Sequence, residues 1–141
     1  MSRSVIVTAD AYERRSEIPN FLEDLGAEVH AKLLTTGDYD VGGNTLVERK
    51  SVLDLHSCLL SGRLWLQLGK LRKEARYPFL LVEGRDLDAG PMPPASIRGA
   101  CLSAVRLGIR LIRTNDQADS ALWLYRLAVF CQRQSRTRKS H

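Results

Sequence analysis

Asp38, Glu48 and Lys50 bring together, within one short stretch, the residue types that handle a metal ion and a phosphate. From Thr36 to Ser51 the chain reads as two β-strands joined by a tight turn. Gly42, Gly43 and Asn44 tolerate positive φ, which puts the turn there. A three-residue loop sets Val41 opposite Thr45, Asp40 opposite Leu46, Tyr39 opposite Val47 and Asp38 opposite Glu48. Opposed residues share a face of the sheet, with Cβ atoms ~5 Å apart. Two carboxylates so placed repel unless a cation lies between them, and Mg²⁺ or Mn²⁺ prefers oxygen ligands. Side chains alternate along a strand, so Lys50 shares the face of Glu48. Such a patch suits metal-assisted phosphodiester hydrolysis: carboxylates hold the ion, and the lysine stabilises charge or orients water. The same residues also suit a solvent-facing hairpin with an ordinary charge run. A two-residue loop would set Asp38 opposite Val47 and break the patch.

Gly37-Asp38, then Glu48-Arg49-Lys50, then Asp54 resembles the GD…ERK…D signature of the XPF-type structure-specific endonucleases. Arg15-Ser16-Glu17-Ile18, Phe21-Leu22 to Gly26, Ser61-Gly62-Arg63-Leu64, Gln67 and Pro78 to Gly84 also resemble that family, in the expected order and over most of the chain. The resemblance implies a nuclease domain of restriction-endonuclease-like fold. It marks Asp10 and Glu13 as matches to a D-x-R-E segment at the end of the first strand. Tyr12 stands where the family has arginine, which leaves Arg14 or Arg15 to substitute. By their own types, Asp10 reads as a turn or cap residue and Glu13 as a surface residue. The resemblance sets Asp54 at the edge of the catalytic patch, although a carboxylate in a first helical turn also complements the helix N-terminus. It makes Arg63 a candidate phosphate contact.

At 141 residues, 44% hydrophobic and 26% charged, the chain is one domain able to bury a core, and its composition excludes a disordered chain. Its net charge of +5 is uneven: Arg133, Arg136, Arg138 and Lys139 lie in an acid-free C-terminal segment and account for most of it. The body is close to neutral, so the pI alone does not argue for nucleic acid, whereas a basic tail suits phosphate contact or a solvated end. Cys58, Cys101 and Cys131 are odd in number, lack metal-ligand spacing and sit among apolar residues, as reduced cysteines of an intracellular protein do. There is no signal peptide and no membrane-spanning apolar stretch.

The elements that must position the patch follow from periodicity. Val5-Ile6-Val7 reads as a buried strand ending near Asp10. Ser16 caps a helix carrying Ile18, Phe21, Leu22 and Leu25, with Pro19 in its first turn and Gly26 at its end. Val29, Ala31 and Leu33 alternate as a second strand, and the hairpin follows. Ser51 caps a helix that Gly62 breaks, and another runs from Arg63 to about Ala75. Phe79-Leu80-Leu81-Val82 is a continuous apolar run, as in a central strand buried on both faces. A Gly/Pro/Asp-rich loop leads to a helix opened by Pro94, then a strand at Ile109, Leu111 and Thr114. Asp116 or Asp119 starts a last helix whose apolar residues cover more than one stripe.

The expected fold is therefore α/β, a restriction-endonuclease-like mixed sheet flanked by helices. The domain would span 1–132, with a basic, disordered tail over 133–141. The expected activity is Mg²⁺- or Mn²⁺-dependent endonucleolytic cleavage near single-strand/double-strand junctions in flaps and forks, as in DNA repair or replication-fork processing. Catalytic candidates are Asp10, Glu13, Asp38, Glu48 and Lys50. Asp10, Asp38 and Glu48 are the metal ligands, Arg14, Arg15, Arg49 and Arg63 the DNA contacts, and Asp54 a support. Expected partners are branched DNA and a second copy bound through the C-terminal helices. The rival is a non-catalytic DNA-binding or dimerisation module, since the family includes degenerate domains. Those lose the acids and lysine that are present here. Another nuclease of the same broad fold would carry the same core. Family members usually add a tandem helix-hairpin-helix module. This sequence shows no such pattern before His141, so it is a fragment or a partner or dimer holds the DNA.

Overall fold

A computed structural model describes the backbone of residues 4–140 and the side chains of residues 4–133. The chain runs β1 (Ile6–Asp10), a 3₁₀ helix (Ala11–Arg15), α1 (Ile18–Asp24), β2 (Glu28–Lys32), β3 (Tyr39–Asp40) and β4 (Thr45–Ser51). It continues through α2 (Val52–Ser61), α3 (Arg63–Glu74), β5 (Tyr77–Glu83), α4 (Pro94–Arg106), β6 (Arg110–Thr114) and α5 (Gln117–Ser140). The strands form one sheet in the order β2-β1-β3-β4-β5-β6. β1 and β2 are parallel, as are β4, β5 and β6, whereas β3 is antiparallel to both its neighbours. The sheet is mixed and helices cover both faces, the α/β architecture that the sequence implies.

Alternation along the central strands sends side chains into two separate cores. Val7, Ala9, Tyr39, Val47 and Leu81 pack with Ile18 and Leu22 of α1 and with Ala121, Leu124 and Ala128 of α5. Leu80 and Val82 face the other way, against Leu55 of α2, Leu64, Leu68 and Leu71 of α3, and Ile97 of α4. That is why Leu80-Leu81-Val82 is apolar without a break: β5 is buried on both faces. Each fully buried leucine in this run contributes about 2 kcal/mol. The hairpin β3–β4 joins the parallel pair β1–β2 to the parallel trio.

Asp10, read as a turn or cap residue, is the N-cap of the 3₁₀ helix after β1. Two local features differ from the expectations. Glu13, read as a surface residue, is buried. Ser16 stands one residue outside α1, whose N-cap is Glu17; the Ser16 hydroxyl accepts the Ile18 N–H at 3.2 Å. Cys58, Cys101 and Cys131 are free thiols, the first two buried. Among the described residues, no helix is long and apolar enough to cross a membrane. The segment 133–141, expected as a disordered tail, begins within the last turns of α5, and its side chains from 134 onward lie outside the described residues.

Candidate functional site

Gly42, Gly43 and Asn44 all adopt positive φ, at 89°, 60° and 60°. The loop is three residues long, with Val41 N–H donating to Thr45 O and Thr45 N–H to Gly42 O. Tyr39 therefore pairs with Val47 and Asp40 with Leu46. The next step back along β3 brings Asp38 to Glu48. The chain leaves the ladder at Gly37, whose φ of +78° favours glycine. The Asp38 carboxylate fills the vacated place, and its Oδ2 accepts the Arg49 N–H at 2.7 Å. Asp38 N–H still donates to Val47 O at 2.8 Å, and Asp38 O accepts Asp10 N–H at 2.7 Å. The turn chemistry thus fixes both the backbone and the side chain of Asp38.

The Asp38 and Glu48 carboxyls lie close enough to share a proton. Burial raises the pKa of both. Glu48 is pushed up to about 8 by burial first and by the Asp38 charge second, so the pair as a whole holds a proton near neutral pH. Lys50, on the same face of β4, is 7% exposed and sets its Nζ 4.0 Å from Glu48 Oε2. Such a half-protonated acid pair fits a hard divalent cation, which takes oxygen ligands and keeps several waters. Asp10, expected as a third ligand, has both oxygens engaged: Oδ1 accepts Leu34 N–H at 2.9 Å and Oδ2 accepts Tyr12 N–H at 3.2 Å. Among the described residues, no group of three or more His, Cys, Asp or Glu side chains is gathered to hold a metal. Asp38 and Glu48 face each other as donors, and Asp10 keeps a lone pair on each oxygen beside the amide it accepts.

The opposite face of β4 carries a second polar assembly. Arg49 Nε and Nη2 donate to the two oxygens of Glu83 at 3.0 and 2.9 Å, and Nη1 donates to Glu13 Oε2 at 2.9 Å. Ser120 Oγ of α5 donates to Glu83 Oε1 at 2.7 Å and lies 2.6 Å from Thr114 Oγ1. Burial would lower the Arg49 pKa, but Glu83 and Glu13 outweigh it and hold the guanidinium charged. Burial raises the pKa of Glu13 despite Arg49. Arg49, expected to hold phosphate, is committed to carboxylates. Glu13, expected in the catalytic group, lies across the strand from Glu48 and Lys50.

With this geometry in place, known proteins supply the lineage. The family model described as "ERCC4 domain" matches residues 9–127. The chain belongs to the ERCC4 domain family. A "3'-flap repair endonuclease Xpf" of Saccharolobus solfataricus is 34% identical over 125 residues, covering 86% of this chain and 54% of that protein. A "DNA repair endonuclease XPF" of Cricetulus griseus is 37% identical over 94 residues, or 67% of this chain and 10% of that protein. The structure titled "XPF from Aeropyrum pernix, complex with DNA" superposes with a TM-score of 0.83 at 34% identity, covering 92% of this chain and 66% of that one. The chain spans about half the length of the Saccharolobus relative.

Within this ERCC4 domain the remaining candidates lie on the 3₁₀ helix, α2 and α3. Arg14 and Arg15 are exposed on the 3₁₀ helix, and the Arg15 guanidinium stacks over the exposed Tyr12 ring at 5.6 Å. Arg63, also exposed, opens α3 and leans on Cys58 Sγ at 4.0 Å. Asp54 is exposed in the first turn of α2, its N–H donating to the cap hydroxyl of Ser51 at 3.1 Å. Gln67 of α3 buries its Oε1 without a hydrogen-bond partner. Glu83, Ser120 and Thr114 are polar residues of the core that sequence reasoning did not single out. The signal for Glu83 was a lone carboxylate closing the apolar run of β5.

Proposed function

We propose that this domain is a Mg²⁺- or Mn²⁺-dependent endonuclease that cuts branched DNA near single-strand/double-strand junctions. The observation that carries the assignment is the half-buried pair Asp38 and Glu48 with buried Lys50 on the same face. The names of the Saccharolobus and Cricetulus relatives and the DNA complex of the Aeropyrum protein agree with it. Asp38 and Glu48 would hold the ion, which when bound would polarise a phosphate oxygen and make its water more acidic. The Arg49 amide keeps Asp38 oriented for that role. The acid pair would bind the ion as two carboxylates, its proton lost to solvent. Lys50 donates hydrogen bonds to the negative charge that develops on the phosphate. Arg63, Arg14 and Arg15, being exposed, supply contacts to the flanking phosphates, and Arg49 does not.

The domain acts as a homodimer through its C-terminal half. Leu122 is 45%, Trp123 49% and Phe130 61% exposed on α5, and Leu102 and Val105 are exposed on α4. A closed two-fold interface covers such a face. The test of the function is cleavage of labelled duplex, single-strand, fork and flap DNA in Mg²⁺, in Mn²⁺ and in chelator. Metal-dependent cuts near the junction of forks and flaps support the assignment. Binding without cleavage in either metal would make the domain a degenerate binding module.

A further inference from the structure

Arg49 belongs to two assemblies at once, one on each face of β4. Its amide fixes Asp38 Oδ2 at 2.7 Å on the side of the acid pair. Its guanidinium, on the other side, is gripped at Nε and Nη2 by Glu83 and at Nη1 by Glu13. The β4–β5 ladder sets the course of the strand at Arg49, and the grip on the guanidinium locks the side chain and so restrains the remaining motion of the amide. Neutralising the arginine needs one carboxylate, and Glu13 already supplies it. A second buried acid adds negative charge, which is a poor source of stability. What Glu83 adds is direction, because a bidentate fork fixes the guanidinium plane. Glu83 is in turn held by Ser120 at 2.7 Å, and Ser120 lies 2.6 Å from Thr114 Oγ1, so the support reaches β6 and α5.

We infer that Glu83 is a positioning residue of the site: by clamping Arg49 it steadies the amide that holds the Asp38 carboxylate, and through Ser120 it links that restraint to the seating of α5. Glu83 touches neither substrate nor ion. For its catalytic consequence the inference rests on the nuclease assignment. Supporting residues that orient metal ligands change metal affinity or activity by about 10- to 100-fold when altered.

The test compares the wild-type chain with Glu83→Gln, which keeps the shape but breaks the fork, and with Ser120→Ala, which leaves the fork and removes the outer hydrogen bonds to Glu83 and Thr114. Three quantities are measured: hydrogen exchange of the Arg49 amide without metal, the Mn²⁺ concentration at the midpoint of the melting shift, and kcat on a flap substrate, with KM as the control. In Glu83→Gln the Arg49 amide should exchange faster and the Mn²⁺ midpoint should rise by about 10- to 100-fold, with kcat falling by a similar factor at unchanged KM. Ser120→Ala should move all three the same way by less, and it carries the test if Glu83→Gln does not fold. Wild-type amide protection and a wild-type Mn²⁺ midpoint in a folded Glu83→Gln protein would overturn the inference. If the wild-type chain neither binds Mn²⁺ nor cleaves, the nuclease assignment falls, and amide exchange alone still decides whether Glu83 clamps Arg49.

Discussion

Asp38 and Glu48 face each other at the open end of the β3–β4 hairpin as two half-buried carboxyls close enough to share a proton. Their opposition follows from a three-residue turn, and their half-buried charge is a cost that a cation would offset. Functional sites commonly retain such local strain, and removing it raises stability by about 1 kcal/mol. Asp38→Asn and Glu48→Gln should therefore melt at or above the wild-type temperature in chelator. Both should lose the Mn²⁺-induced melting shift, and flap cleavage should fall by at least about 100-fold. Lower melting temperatures in chelator, with the metal shift intact, would place the ion elsewhere.

Protonation of Glu48 gives the metal-free protein a pH-dependent stability. The folded-state pKa lies at about 8 against an ordinary value of 4.5, so the folded state binds more protons between those limits. The stabilisation is fully present below about 4.5 and is lost as pH rises through about 8. Melts in chelator should decline across that window, whereas melts in Mn²⁺ should not, because the ion replaces the proton. Glu48→Gln should flatten the chelator profile. A wild-type profile already flat in chelator would contradict the raised pKa.

Lys50→Ala should separate metal binding from chemistry. The amine stands 4.0 Å from Glu48, and in the proposed function it acts on the reacting phosphate rather than on the ion. At pH 8 the Mn²⁺ melting shift should persist while the cleavage rate drops by about 100- to 1,000-fold, the usual cost of losing one preorganised donor. Equal loss of metal binding and rate would instead make Lys50 a support for Glu48.

How much of this was legible in the sequence depends on how far apart the partners lie. Gly42-Gly43-Asn44 announces its turn, so the pairing of Tyr39 with Val47 follows from a few local residues. The apolar run at Leu80 to Val82 announces a strand buried on both faces. The 3₁₀ helix Ala11–Arg15 is too short to show a period, and it hangs on the Asp10 cap. The partners of Arg49 lie 36 and 34 residues away, and only the strand order brings them to one guanidinium. An arginine between Glu48 and Lys50 looks like a third member of the site, yet alternation sends it to the far face. Asp10 likewise has oxygens in the right neighbourhood, but Leu34 N–H takes one of them from 24 residues away.

Dimerisation is checked by light scattering, which should give about twice 15.8 kDa at micromolar concentration. Trp123→Glu should shift the species toward monomer without lowering the metal-induced melting shift. A wild-type monomer at that concentration would leave the exposed face of α5 to another partner.

DNA affinity should fall with salt, at roughly one logarithmic unit per phosphate contact per tenfold salt. Arg63→Ala should reduce that slope by about one, and Arg49→Lys should leave it unchanged because Arg49 is bound to Glu83 and Glu13. Fluorescence anisotropy at several salt concentrations reads both.

The central claim is that Asp38 and Glu48 together make the metal site, and the most direct measurement is Mn²⁺ binding followed by electron paramagnetic resonance at pH 8 without DNA. The wild-type chain should quench the free Mn²⁺ signal in a saturable way, and Asp38→Asn and Glu48→Gln should each abolish that quenching while remaining folded. Saturable binding of equal strength in all three proteins, or none in the wild type, would contradict it.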